Sequence, residues 1–298
     1  MMSVHRIRVG KEAESVQRRG VKKGLYLVPS LFTAVNIFAG FYSIMASLRG
    51  FQLVGMGGQA NLLEATTYFD YAAMAIGWAM LFDILDGRIA RLTKTTTEIG
   101  IQLDSIADVV SFGLAPAMLV FVWAFGATLQ EGSGVHKLAW FLCFMYLMCG
   151  GFRLARFNVQ ASRPRVLSEG APKVDKKNYI GLPIPAAGGL IGAIVHFAPA
   201  PLMQYEPRRA QLLAGLAMGL VGLLSFLMVS TIKFSSFKTV GARVRSMRII
   251  ILCIAMGGLI YLYSRYVLLI LVTLYILNGL LSRVAAYLRP HREHQPAN

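Results

Sequence analysis

Asp83, Asp86, Asp104 and Asp108 fall where hydropathy carries the chain across a membrane. The stretch reads D-I-L-D-G-R-I-A-R from position 83, then eight residues, then G-I-Q-L-D-S-I-A-D from position 100. Carboxylates three apart and four apart each lie on one face of a helix. Acids inside a bilayer are costly, so four of them facing a common space call for compensation. Hard divalent cations supply it most simply, because oxygen ligands suit magnesium, manganese or calcium. Two such ions suit phosphoryl chemistry, where they clamp the phosphate oxygens and stabilise the leaving group. Gly87 and Ala90 leave nearly bare backbone beside the acids, so a ligand can approach closely. Arg91, one turn beyond Gly87, offers a permanent cation to a phosphate, and Gly100, one turn before Asp104, keeps the facing helix open. A lone D-x2-D is an ordinary solvated helix end, and small residues at helical spacing are ordinary packing contacts. Eight positions matched at fixed spacing are neither.

Those residues need apolar helices to hold them. Hydrophobic residues make up 56% of the 298 positions and charged residues 15%, the composition of a polytopic membrane protein. Apolar runs of spanning length recur at 24–48, 69–92, 99–124, 137–160, 181–200, 210–232, 247–264 and 266–288. The expected fold is therefore an all-α membrane bundle of about eight helices. The first two acids end one helix, the last two begin the next, and a tight hairpin at 93–98 brings the acidic faces together. The start of the chain has no apolar signal-peptide core. Residues 1–23 form a basic juxtamembrane segment, 24–240 the catalytic core, and 241–298 two further helices with a basic tail. The polar, basic stretch 163–180 is a loop near the acids, and 125–136 is a loop on the other side.

The net charge of +16 suggests nucleic acid until its placement is considered. With the N-terminus in the cytoplasm, only Arg49, Lys137, Arg208, Arg209 and Arg265 of the 30 basic residues fall outside. The excess is thus topology plus attraction to anionic headgroups, with no nucleic-acid partner. Both termini and the acid cluster are then cytoplasmic, and a prokaryotic inner membrane is the expected location. Cys143, Cys149 and Cys253 sit in apolar helices at no metal-binding or disulfide spacing. His5, His136, His196, His291 and His294 are scattered, and none pairs with a serine or cysteine in a convincing catalytic arrangement, so histidine-based nucleophile chemistry is not expected.

The string D-x2-D-G-x2-A-R-x8-G-x3-D-x3-D resembles the signature of the CDP-alcohol phosphatidyltransferases, membrane enzymes that move a phosphatidyl group from a CDP-linked lipid to an alcohol. All eight signature positions are present. The resemblance implies a six-helix catalytic core and a site for two divalent cations, Mg2+ or Mn2+. By position it makes Asp83, Asp86, Asp104 and Asp108 metal ligands, with Asp108 also the proton acceptor. Asp83, Gly87 and Arg91 contact the CDP moiety, beside an open Gly100. A homodimer is implied by the same resemblance.

Further stretches resemble the bacterial and archaeal phosphatidylserine synthases of that family: 29–41, 111–117, 150–159, 179–189 and 227–238. They imply CDP-diacylglycerol and L-serine as substrates, with membrane lipids around them. Free serine carries an ammonium and a carboxylate. Arg153 and Arg156, three apart on one helix face and close to Asn158, are candidates for gripping that carboxylate. The alternative for both arginines is a membrane-boundary role. Thr33 and Asn36, three apart on the first helix, suit either the nucleotide or polar helix packing. Two competing readings stay open at this stage. Glycerol 3-phosphate or an inositol phosphate is the acceptor instead, or the acids line a cation or proton path. Clustering on two adjacent helix ends speaks against an ion path.

Overall fold

The computed structural model describes residues 31–93, 98–162, 178–235 and 247–288. Among them, seven helical segments are long and apolar enough to cross a membrane, which makes the chain an integral membrane protein of all-α type. Helix α1 (Leu31–Met56) is followed by α2 (Gln59–Thr93), and only Gly57 and Gly58 separate them. Both glycines have positive φ, 69° and 83°, a conformation costly for any residue with a Cβ, and this ends α1 abruptly. The third span opens with α3 (Glu98–Asp108) and passes through a π-helical stretch at Val109–Leu114. It continues as α4 (Ala115–Val120) and closes with a second π stretch at Phe121–Phe125. Then come α5 (Gly134–Ser162), α6 (Ile184–Phe197), α7 (Pro207–Val229) and α8 (Met247–Leu288). Proline at the first turns of α6 and α7 suits positions whose N–H has no partner inside the helix.

Two departures from the sequence expectation stand out. Helix α2 begins at Gln59, ten positions before the apolar run at 69, because Q-A-N-L-L-E-A-T-T-Y is helix-competent but too polar for a hydropathy window. The last two expected spans form one element, α8, whose backbone leaves helical geometry at Tyr263 (φ −132°, ψ 41°). That break lies beside the expected boundary at 264–266. At about 1.5 Å per residue, 42 residues are far too long for one bilayer crossing. The segment 1–23, the centre of the 93–98 hairpin and loop residues 163–177 lie outside the described residues.

A short antiparallel ribbon, unforeseen in the sequence, joins β1 (Asn178–Ile180) to β2 (Lys233–Ser235), with Tyr179 opposite Phe234. It ties the start of α6 to the end of α7. Gly181, next to the ribbon, has φ 82°, and a Cβ there would lie 2.4 Å from the carbonyl oxygen of Met228. Its N–H donates to Ile232 O at 2.8 Å. No other residue fits that close approach.

The core is built on small residues that let helices touch. Gly40 of α1 packs against Ser111, where a Cβ would come within 2.5 Å of the serine oxygen. Ser111 Oγ in turn donates to Asn36 O at 2.9 Å, and Ser43 Oγ donates to Ala72 O at 2.8 Å. Phe69, Phe112, Tyr146 and Ile184 are fully enclosed, while Phe38, Trp78, Leu216 and Phe226 are exposed. Such an apolar exterior is what lipid covers in a bundle whose backbone groups are satisfied within helices.

Candidate functional site

The acid cluster is assembled from the last turns of α2 and from α3. On α2, Asp83 and Asp86 are three apart; on α3, Asp104 and Asp108 are four apart, so each pair lies along one side of its own helix. One carboxylate oxygen from each of Asp83, Asp104 and Asp108 lies within 4.8 Å of the others. Three carboxylates at that spacing repel one another strongly unless a cation sits among them. Asp108 Oδ1 is buried with no hydrogen-bond partner, an acceptor with nothing to accept. All-oxygen ligands, clustered charge and an unmet acceptor together fit a hard divalent cation.

Asp86 stands apart from that trio. It is 6% exposed and takes a hydrogen bond from the hydroxyl of Thr33, which reaches over from α1. Of the two roles open to Thr33 from sequence, the geometry thus displays a polar helix-to-helix contact, made to an acid of the signature. Asn36, one turn further along α1, is 1% exposed, and neither its amide nitrogen nor its amide oxygen has a partner. A buried amide left so costs on the order of 1–3 kcal/mol, so a ligand polar group close to it would be repaid. Gly87 is exposed and Gly100 half-buried. Arg91 lies in the closing turn of α2, and its side chain and that of Ala90 are outside the described residues.

Helix α5 brings the third set of residues. Arg153 is buried and interacts electrostatically with Asp108. Asn158 Nδ2 donates to Ser105 Oγ at 2.8 Å, fastening α5 to the helix that carries Asp104 and Asp108. Arg156 is half-buried. The π stretch directly after Asp108 is held from both sides: Tyr146 Oη donates to Phe112 O at 2.9 Å from α5, and Ser111 ties it to α1. π turns of this kind often accompany functional sites. Neither Ser105 nor Tyr146 was legible as a site residue, since both read as ordinary helix positions.

A second polar cluster corrects the sequence expectation about histidine. His196, in the last turn of α6 and 5% exposed, lies between Asp70 of α2 and Ser264 of α8. Its Nδ1 is 2.5 Å from Asp70 Oδ1 and its Nε2 is 2.9 Å from Ser264 Oγ. Arg265 Nη2 donates to the other oxygen of Asp70 at 3.4 Å. The partners are 126 and 68 positions from His196, so no helical spacing could reveal them. The only signal was an aspartate and a histidine within apolar runs.

Comparison with known proteins adds the following. The family described as CDP-alcohol phosphatidyltransferase matches residues 26–229. A CDP-diacylglycerol–serine O-phosphatidyltransferase of Helicobacter pylori is 30% identical over 264 residues, covering 86% of this chain and 91% of the relative. The protein of that name from Saccharomyces cerevisiae is 39% identical over 160 residues, 53% of this chain and 50% of its own. The one from Bacillus subtilis is 34% identical over 168 residues, 56% of this chain and 76% of its own.

Proposed function

Since the chain belongs to the CDP-alcohol phosphatidyltransferase family, we propose that it transfers the phosphatidyl group of CDP-diacylglycerol to L-serine, giving phosphatidylserine and CMP. The observation that carries the chemistry is the convergence of Asp83, Asp104 and Asp108 within 4.8 Å on a complete family signature. Serine as acceptor rests on what the relatives are named for, one of them aligned over nearly its whole length.

Asp83, Asp86, Asp104 and Asp108 would hold two divalent cations, Mg2+ or Mn2+. When bound, these neutralise the pyrophosphate and stabilise the charge on the departing CMP. The chain's own residues do the rest. Thr33 steadies Asp86, and Asn36 offers its amide to the nucleotide. Gly87 and Gly100 let the pyrophosphate approach the backbone, and Arg91 adds a fixed positive charge. The serine hydroxyl attacks the lipid-side phosphorus, the bond from that phosphorus to the CMP oxygen breaks, and Asp108 takes the hydroxyl proton as attack develops. Arg153 takes the serine carboxylate in this reading, with Arg156 and Asn158 as the further acceptor-binding residues, and the interaction of Arg153 with Asp108 supports the assignment. Alignment of the two substrates and the preformed charge supply most of the rate, and no covalent enzyme intermediate is involved.

In this reading the core is 24–240, preceded by the basic segment 1–23 and followed by an accessory region 241–298. The site opens to the cytoplasm from a prokaryotic inner membrane, and the protein works as a homodimer. The Lys and Arg distribution supports that orientation. The deciding experiment gives purified protein CDP-diacylglycerol and a panel of alcohols, with and without Mg2+ or Mn2+, and Asp104→Asn as blank. CMP release that needs both serine and the metal is expected. Release driven by glycerol 3-phosphate instead would reassign the acceptor, and release unaffected by thorough chelation would refute the metal site. Light scattering in detergent tests the dimer.

A further inference from the structure

About 13 residues of α2, roughly 20 Å along its axis at 1.5 Å per residue, separate Asp70 from Asp83. The Asp70–His196–Ser264 cluster therefore lies away from the metal site, toward the opposite face of the membrane. We propose that it is a second reaction centre, in which Ser264 is a nucleophile toward carboxylic esters presented at the depth of the lipid headgroups.

The order of contacts carries the assignment. A carboxylate only accepts hydrogen bonds, so the 2.5 Å contact with Asp70 is made by His196 Nδ1–H. With that tautomer the Nε2 lone pair faces Ser264 Oγ at 2.9 Å, where the serine O–H can donate to it. Acid on Nδ1 and hydroxyl on Nε2 is the arrangement that readies a serine for attack, and it is recognised by geometry wherever it occurs in a sequence. Arg265 bonds the second oxygen of Asp70 and holds the carboxylate in orientation. His196 and Asp70 are enclosed, with side chains 6% and 16% exposed, whereas Ser264 is half-open.

The surroundings match the task. Ser264 directly follows the backbone break at Tyr263, the kind of helix interruption at which oxyanion donors are found in acyl-transfer sites. Leu262, Tyr263 and Tyr266 around it are 71%, 58% and 59% exposed, so an ester approaches from lipid. Tyrosines at that level suit the headgroup boundary. In the reaction, Ser264 Oγ attacks the ester carbonyl while its proton passes to His196 Nε2. The bond from the carbonyl carbon to the alcohol oxygen breaks, and the alcohol leaves with that proton. Water, activated by the same nitrogen, then cleaves the acyl-serine to the free acid and restores Ser264.

The test uses the full chain in lipid nanodiscs, a fluorophosphonate probe and p-nitrophenyl butyrate. One phosphonate adduct per chain is expected, mapping by mass spectrometry to Ser264, with hydrolysis of the ester. Ser264→Ala, a small change at a half-open position, is expected to lose both while keeping its melting temperature and its CMP release. His196→Gln and Asp70→Asn are expected to slow labelling by about a hundredfold or more. No adduct at Ser264 in wild-type protein that still releases CMP would overturn the proposal. So would an adduct that forms as fast in folded His196→Gln or Asp70→Asn protein, because labelling would then owe nothing to the histidine.

Discussion

Replacing Thr33 with Val removes one hydroxyl and leaves the shape of the side chain nearly unchanged. In the folded protein that hydroxyl donates to Asp86 Oδ2, and the two residues are 4% and 6% exposed, so water cannot substitute freely for the lost donor. A hydrogen bond to a charged group contributes about 1.5–3 kcal/mol, or roughly a 10- to 150-fold change in an equilibrium constant. If Asp86 is a metal ligand steadied by Thr33, that loss falls on cation binding. The half-saturating Mn2+ concentration for CMP release should rise by an amount in that range, while kcat at saturating Mn2+ changes little. Thr33→Ser keeps the donor and should stay within a few-fold of wild type. The assay is CMP release across a metal titration at fixed CDP-diacylglycerol and serine. An unchanged metal curve in Thr33→Val with a raised KM for CDP-diacylglycerol would refute the reasoning, because Thr33 would then serve the nucleotide and not the acid.

Asp108→Asn is expected to lower kcat far more than it weakens CDP-diacylglycerol binding, measured by calorimetry beside turnover, since a base matters chiefly in the transition state. Equal losses would leave Asp108 a ligand only. Arg153→Lys should raise the serine KM with donor KM unchanged, because a point charge survives while the two-pronged grip is lost. Arg153→Ala should cost about 1.5–3 kcal/mol in serine efficiency, and a wild-type serine KM in both variants would remove Arg153 from the acceptor site. Gly181→Ala puts a methyl 2.4 Å from a backbone oxygen at φ 82°, so a loss of about 1–3 kcal/mol is expected, read as a lower melting temperature. Cysteines introduced at 128–134 should react with an impermeant thiol reagent only from outside the cell, and labelling from the cytoplasmic side would reverse the orientation.

The acids were legible because their chemistry is written in local spacing. Residues three or four apart share a helix face whatever the tertiary structure, so the pairing of Asp83 with Asp86 and of Asp104 with Asp108 needed no fold. Membrane crossing was legible for a similar reason, since a bilayer imposes one length on every helix. What stayed hidden depends on contact across the bundle or on backbone geometry. The early start of α2 escaped because polarity at 59–68 reports the water boundary and not the helix end. The π stretch after Asp108 leaves no mark in composition. The Thr33–Asp86 bond spans 53 positions, and the His196 contacts span more. The placement of Arg153 beside Asp108 was half visible: its position on α5 was readable, its neighbour was not.

The two-glycine link between α1 and α2 also bears on the order in which the site is made. With so short a connection, α1 and α2 emerge from the ribosome as a closed pair at little cost in loop entropy. Thr33 and Asp86 can then meet at the open end of that pair before the helix carrying Asp104 and Asp108 has packed against it. The nascent hairpin buries Asp86 against a neutral hydroxyl and leaves Asp83 as its one acidic neighbour on that face. The three-carboxylate cluster arises only when α3 joins, so in the proposed reading the need for a cation comes last in assembly.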